Sequence, residues 1–442
     1  MKLLSYYSPL FLPVKILLIL ISLQSVNSFA GVGSSYLNLT NWSLDGDIIA
    51  ELRSFPINDQ DDHTKELAFD FSSHLKIEFE NDLLKYKLAL LARYGVLDKG
   101  RNAFVQEENF VSLPFGDFTF TAGYQIHSWY VLEGFRVSDI LNSRNLDGDY
   151  ERIEKFGELT LSMEYFSDYF TLSLFYFPLY IDPYWPESSS RSAPKTSNSV
   201  LNTADIASSI WVEGNNIKGD EFGHQGAIKL TKSFEDYDLD IDLYSIHHMD
   251  RTQPFITISN DLKVRGHHFR VTQSGVNVSK VYGNWIFKFE GAVRDFNADT
   301  YQPILQGPII RPKDHSMVAG GIETNITLIE GISSTLYIEW QKILGVELES
   351  TEQYTPFQND LFVALRSDFN DVMGRVITLA TFVDLEKQYE LAFALSYSQR
   401  LTDSWSLAAG GRLIHSLNSD NPKGLDLFRN SDNVYFKLTR FY

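Results

Sequence analysis

The chain of 442 residues contains no cysteine. That excludes a disulfide framework and a thiolate metal site. Beyond Leu23 it has no long apolar run. If it enters a membrane after that point it crosses as strands, because lipid admits only helices and closed sheets. Positive charge is in deficit, with 38 Lys and Arg against 57 Asp and Glu and a net charge of −19. So acidic a chain repels nucleic acid, which removes that partner class. It carries no Gly-rich phosphate loop, no zinc spacing, no low-complexity linker and no composition shift that marks a domain boundary. Methionine is scarce at five residues, whereas Tyr and Phe number 23 and 32. That balance suits aromatic girdles on a barrel, and equally a large soluble β protein.

What fills the chain is alternation. Leu67, Phe69, Phe71, Leu75, Ile77 and Phe79 share one parity, with Glu66, Asp70, His74, Lys76, Glu78 and Glu80 on the other. Asn81-Asp82 turns the chain, and Leu84 to Tyr94 repeats the pattern with Lys85, Lys87 and Arg93 opposite. This is a hairpin of strands more than ten residues long. A soluble sandwich also alternates, but its strands average roughly five or six residues, while a tilted membrane strand needs about 9–11. The same grammar predicts about 18 strands (16–18), near 44–55, 66–80, 83–97, 104–113, 117–129, 155–166, 169–180, 222–233, 236–249, 266–280, 283–296, 315–329, 332–345, 358–369, 374–385, 388–401, 404–416 and 431–442. Short turns fall near Asn81-Asp82, Pro114-Phe115-Gly116, Ser167-Asp168, Phe234-Glu235, Tyr282-Gly283, Glu330-Gly331, Asn370-Asp371 and Thr402-Asp403, with most long connections between them. The fold expected is all-β: a transmembrane antiparallel up-and-down barrel with short periplasmic turns and long extracellular loops.

Both ends agree. Lys2 and Lys15 flank the apolar Ile16–Leu23, and Ser28-Phe29-Ala30 supplies small residues for a signal peptidase. Residues 1–30 are expected to be a cleaved signal peptide and residues 31–442 a single barrel domain. Losing the two leader lysines takes the net charge from −19 to −21. At the far end Val434, Phe436, Leu438 and Tyr442 share a parity broken only by Arg440. This closing strand, with Phe436, Leu438, Phe441 and Tyr442, resembles the C-terminal assembly signal of outer-membrane barrels.

Two connections stand out by length. Residues 130–154 carry Glu133, Arg136, Asp139, Arg144, Asp147 and Asp149. Residues 181–221 open on Pro183, Trp185 and Pro186 and close with a short helix expected at Ala204–Val212, capped by Thr203. An 18-stranded barrel with an empty lumen is a large hole, so at least one long loop should fold inward. Glu133, Arg136, Asp139 and Arg144 are therefore the constriction candidates.

Gly123-Tyr124-Gln125-Ile126-His127-Ser128-Trp129, then Glu133, then Val137-Ser138-Asp139-Ile140-Leu141-Asn142, resembles a stretch shared by porin-like outer-membrane proteins of Gram-negative bacteria. Asp250-Arg251-Thr252-Gln253-Pro254, Thr355 to Phe362, and Asn370-Asp371 with Asp384-Leu385-Glu386 match in the same order. The Trp turn departs from the family, which usually has a Gly or a second aromatic beside the Trp. The resemblance implies a porin-like barrel and names no cargo.

Parity supplies the lumen candidates: Glu78, Lys85, Lys87, Arg93, Glu158, Glu164, Asp238, Asp240, Asp242, Arg270, Lys288, Glu290, Arg294, Arg400 and Arg412. Opposed rows of charge impose a transverse field on a pore. The plainer reading is a set of salt-bridge ladders that stiffen the wall. Asp238, Asp240 and Asp242 form either a cation-attracting stripe or a row answered by Lys229 or Arg270. His247-His248 and His267-His268 could meet at a loop root as a metal site, but read more simply as polar rim residues. His127-Ser128 fall on opposite parities and on no hydrolase motif, so no catalytic residue, metal or cofactor is assigned.

The function expected is passive diffusion of small polar solutes or ions across the outer membrane of a Gram-negative bacterium. Outer-membrane lipid, lipopolysaccharide and the barrel-assembly machinery are the expected partners. The alternatives are an export or assembly barrel for a lipid or polymer, favoured by small lumen residues or a lateral seam, and a barrel hydrolase.

Overall fold

The computed structural model describes residues 41–56, 66–145, 154–181, 183–184, 190–191, 210–212, 215–217, 222–251, 255–258, 264–296, 313–347, 355–387, 390–416 and 424–442. The expected leader, Asp147 and Asp149, and residues 203–209 of the expected helix lie outside the described residues.

Alternation does produce strands. They are β1 (Trp42–Ser54), β2 (Leu67–Glu80), β3 (Lys85–Gly95), β4 (Ala103–Phe115), β5 (Phe118–Gln125), β6 (Glu158–Phe166) and β7 (Thr171–Leu179). Two short strands follow, β8 (Ile210–Val212) and β9 (Asn215–Ile217), then β10 (Phe222–Phe234) and β11 (Leu239–Met249). Two more short ones are β12 (Phe255–Ile258) and β13 (Val264–His268). The rest are β14 (Arg270–Tyr282), β15 (Trp285–Asp295), β16 (His315–Ile326), β17 (Ser333–Leu344), β18 (Asn359–Asp368), β19 (Val376–Asp384), β20 (Leu391–Thr402), β21 (Trp405–His415) and β22 (Asn433–Phe441).

Eighteen strands form one sheet, each antiparallel to its neighbours, with β7 pairing β10 and β11 pairing β14. β22 returns to pair β1 from Asp47↔Phe441 to Ser54↔Val434, so the sheet closes into a barrel. The four short strands make a separate small sheet, in which β8 runs parallel to β13 and ties two long connections together. The helix expected through Val212 is overturned at residues 210–212, which are strand. Isoleucine, tryptophan and valine there favour an extended chain, and β13 offers an edge to pair with.

Each strand presents two chemistries. Leu52, Leu243, Val293, Leu413, Val434 and Phe436 lie exposed on the outer face. Aromatic rings crowd that face near the short-turn end, as in Trp42 against Phe79 and Phe118 against Tyr165. A contiguous apolar outer surface is foreign to a protein in water. The inner face carries many polar side chains: Asn277, Glu290 and Gln341 lie in one register row from β14 to β17, broken only by Ala319. The seam is locked on the outer side. Tyr442 continues past β22, donates its N–H to Gly46 O at 3.1 Å and its hydroxyl to His74 O at 3.0 Å. A Cβ at Gly46 would collide with the Tyr442 ring, so that position needs glycine for close approach.

The apolar core is inside the barrel. Leu132, Phe135 and Val137, from the connection between β5 and β6, pack on Ala292, Ala319, Phe362, Ala364, Phe382, Ala392, Ile414 and Leu425. The wall supplies alanines where the inserted segment needs room.

Candidate functional site

Residues 126–145 and 154–157 enter the lumen, and wall carboxylates hold the first of these stretches there. Glu290 on β15 accepts from the backbone N–H of Val131 at 2.6 Å, Leu132 at 3.0 Å and Ser138 at 3.0 Å, and from the Ser138 hydroxyl at 3.0 Å. Glu339 on β17 accepts from the N–H of Glu133 at 2.8 Å, Gly134 at 2.8 Å and Phe135 at 3.2 Å. An irregular segment exposes N–H groups that would otherwise be orphaned inside the barrel. Two carboxylates gather six of them. Hydrogen bonds to a charged acceptor contribute about 1.5–3 kcal/mol each, and leaving the carboxylate bare would cost more than an ordinary lost bond.

Glycines allow the close fit. A Cβ on Gly134 would strike the Phe362 ring, and one on Gly321 would strike Glu339 and Leu132. Asn142 fastens the two stems. Its Oδ1 accepts from His127 N–H at 2.7 Å, and its Nδ2 donates to Gln125 O at 2.9 Å and Phe156 O at 2.8 Å. Lys155 reaches Asp139 at 2.6 Å and also donates to His127 O and Ser128 Oγ. Burial lowers the Lys155 pKa, against the pull of Asp139 in the other direction. His127 is sealed between Phe175 and Phe177 with Nε2 3.1 Å from Thr160 Oγ1. Burial, with Lys155 and Arg251 as like charges, pushes its pKa down to about 3, so the ring is neutral.

A second lock lies behind the first. Glu158, fully buried, accepts from Arg251 Nε at 2.8 Å and Nη2 at 3.2 Å and from Ser143 N–H at 3.1 Å. Arg251 also donates to Gln225 at 2.9 Å, and Asp250 pairs with Arg294 at 2.8 Å.

The segment turns a charged face to the remaining lumen. Glu133 is 3.5 Å from Lys288, which pairs with Glu323 at 2.7 Å. The Arg136 guanidinium stacks on the Tyr130 ring at 4.3 Å. The rest of the wall is laddered with ion pairs, among them Lys76–Glu78, Lys85–Glu80, Lys87 with Glu78 and Glu108, and Lys229–Asp242 at 2.9 Å.

No family model matches this chain, and no curated protein does. Solved structures do. A BenF-like porin from Pseudomonas fluorescens Pf-5 aligns with a TM-score of 0.50 at 10% identity, covering 91% of this chain and 97% of that one. Pseudomonas aeruginosa OpdQ aligns at 0.49 with 9% identity, over 91% and 96% of the two chains. A mutant of Rh. blastica porin aligns at 0.39 and 9%, over 91% and 100%. The fold is that of a porin-like barrel.

Placed in this barrel, the sequence candidates divide. Glu78, Lys85, Lys87, Lys288, Asp240 and Asp242 lie on the inner face in register, as does Glu164, which accepts from Ser173 Oγ at 3.3 Å. Arg93 also faces inward, where it pairs with Glu154 and Asn145 donates to the same carboxylate. Glu158, Glu290, Arg294 and Arg412 share the inner parity but are buried, so they hold the inserted segment and the rim rather than lining open space. Two candidates are corrected. Asp238 is not on a strand: it ends the turn at Glu235–Tyr237 with φ +47, so the expected three-aspartate row has two members. Arg270 pairs opposite Met249 and shares the outer parity of Thr272 and Ser274, because Gln273 and Asn277 take the inward positions. Lys280, on the same outer parity, reaches to Tyr237 O. Arg400 sits exposed at the short-turn end, its N–H on Met373 O. Of the constriction candidates, Glu133 and Arg136 face the lumen, whereas Asp139 is buried between Lys155 and Arg144. Phe436 and Leu438 are on the outer face, Phe441 is opposite Asp47, and Tyr442 closes the seam. The tethering role of Glu290 and Glu339, and the part of Lys155, Ser138 and Asn142, were missed. For Asn142 and Ser138 the family-like stretch 137–142 was the signal.

Proposed function

We propose that this chain is an outer-membrane channel of a Gram-negative cell that passes small polar solutes or ions by diffusion. The observation that carries the reading is the segment 131–138, held in the lumen by Glu290 and Glu339 with Glu133 beside Lys288 and Arg136 stacked on Tyr130. A tether of this kind would narrow the lumen, as a diffusion channel of selective bore needs. The apolar outer face and its aromatic rings support insertion in lipid, and the fold is shared with the BenF-like porin. On this reading residues 1–30 are a signal peptide, the assembly machinery engages β22, and lipopolysaccharide surrounds the long-loop end.

The export reading has less support. The small wall residues Ala319, Ala364 and Ala392 lie under the inserted segment rather than along an open lane. The β1–β22 seam is fully laddered from residue 47 to residue 54. For a hydrolase, the buried His127 meets Thr160, and the Ser128 hydroxyl accepts from Lys155. Reconstitution into a planar bilayer tests the proposal: discrete conductance steps are expected, and a folded protein that never conducts overturns it.

A further inference from the structure

At the long-loop rim, β18 and β19 set Asp360 and Asp384 directly opposite one another in register. Both are buried, at 0% and 1% exposure. Like charges facing each other across strands repel, and neither residue makes an ion pair among the described residues. Buried Glu390 stands beside them: Asp384 N–H donates to Glu390 O at 3.0 Å. Asp384 Oδ1 accepts from the N–H groups of Glu386 and Lys387, each at 2.7 Å. Asp360 differs from both. Among the described residues neither of its carboxylate oxygens has a hydrogen-bond partner; the N–H groups of Gln358 and Asn359 lie near without reaching it in bonding geometry. The charges that bear on it most are Asp384 and Glu390.

Two residues along the same strands, Phe362 and Phe382 pack with ring centroids 4.7 Å apart. Beside Glu390 stands Gly424, at φ +61. A Cβ there would meet Gln358 Nε2 at 3.3 Å, Glu390 Oε2 at 3.6 Å and Pro356 O at 3.9 Å. The Gln358 amide, the Glu390 carboxylate and the Pro356 carbonyl thus border one point. These are the segments, Thr355 to Phe362 and Asp384 to Glu386, that the sequence singled out.

We propose that this rim pocket binds a divalent cation, with Ca2+ the chemical match, through the carboxylates of Asp360 and Asp384. The donors are oxygens without sulfur or imidazole, which selects a hard ion. The ion's two charges equal those of the aspartate pair. No three acid or histidine side chains converge on a metal sphere among the described residues as they stand. Pro356 O and water would complete the set, with Glu390 turning from its pairing with Lys387 at 3.6 Å, as Ca2+ commonly allows. The ion would fasten residues 355–358 and the turn at 424–428 to the wall.

The test uses the full protein in detergent, stripped with EDTA and followed by thermal unfolding and calorimetric titration with CaCl2 and then MgCl2. Ca2+ should raise the Tm and bind with a Kd of about 10⁻⁴–10⁻³ M, as extracellular sites do. The Asp360→Asn/Asp384→Asn variant should fold, be at least as stable as the stripped protein, and lose the Ca2+ response. Three results overturn the proposal: no response of the unmodified protein to either ion; an equal response in the variant, which puts the ion elsewhere; or stabilisation on mild acidification with none by Ca2+, which makes the pair a shared proton.

Discussion

Glu290 shows why a side chain's parity does not define its job. On the inner face of β15 it has the right address for a pore-lining acid, yet among the described residues it is answered by four donors of the inserted segment and by no cation. Glu290→Gln keeps the shape but replaces an acceptor pair with an amide that donates. We expect a loss of about 2–3 kcal/mol in holding the segment and single-channel records with larger or noisier conductance than the parent's; records indistinguishable from the parent's would mean that Glu339 alone suffices. His127 makes a prediction in pH. Its folded value near 3 lies below the unfolded 6.5, so the unfolded chain takes the proton first. The stability it contributes is complete above pH 6.5 and drains as the pH falls towards 3. The acid side of a Tm-against-pH curve should therefore flatten in His127→Gln; an unchanged slope between pH 6 and 4 would assign the acid loss to other groups.

Between strands, Tyr442 and Gly46 form the closing contact of the wall, joining residues almost the whole chain apart. Gly46→Val should displace the ring and weaken the β1–β22 pairing more than Tyr442→Phe, which loses only the hydrogen bond to His74 O. The fraction of protein that resists SDS without heating reads this directly, and parental resistance in Gly46→Val would show that the ring is not part of the seam. The strands themselves were legible because Leu67 to Phe79 and Trp285 to Val293 alternate with one break each, at Ser73 and Gly291, and period two is a local property. Turn chemistry was legible for the same reason at Gly116 and Gly283, with φ +58 and +59. The four short strands were not, since three to five residues carry too little pattern. Nor were the tethers: Val131 and Glu290 are 159 positions apart, and no local spacing pairs them. Asp238 failed at a boundary, where a left-handed turn residue continued the alternation of the strand after it.

For the molecule as a whole, the question is what field a solute crosses. The wall ladders cancel in pairs: Lys85 with Glu80, Lys87 with Glu78 and Glu108, Lys229 with Asp242, Lys288 with Glu323 and Glu133. Acids are left over. Glu290 is met by N–H groups, Glu164 by a hydroxyl, and Asp240 and Asp238 stand exposed near the short-turn end. Against this, Arg136 contributes a stacked cation on the loop. The sum leans negative but weakly, and charges beyond about 8 Å from the path are screened at physiological salt. A modest cation preference in a KCl gradient is therefore expected, fading as salt rises. Asp238→Asn/Asp240→Asn should lessen it. Adding Asp242→Asn should lessen it further, by releasing Lys229 into the lumen. The barrel should stay folded throughout, because these side chains meet water rather than lipid. Clear anion selectivity of the unmodified protein at low salt would reverse this balance and make Arg136, rather than the acids, the charge that the solute meets.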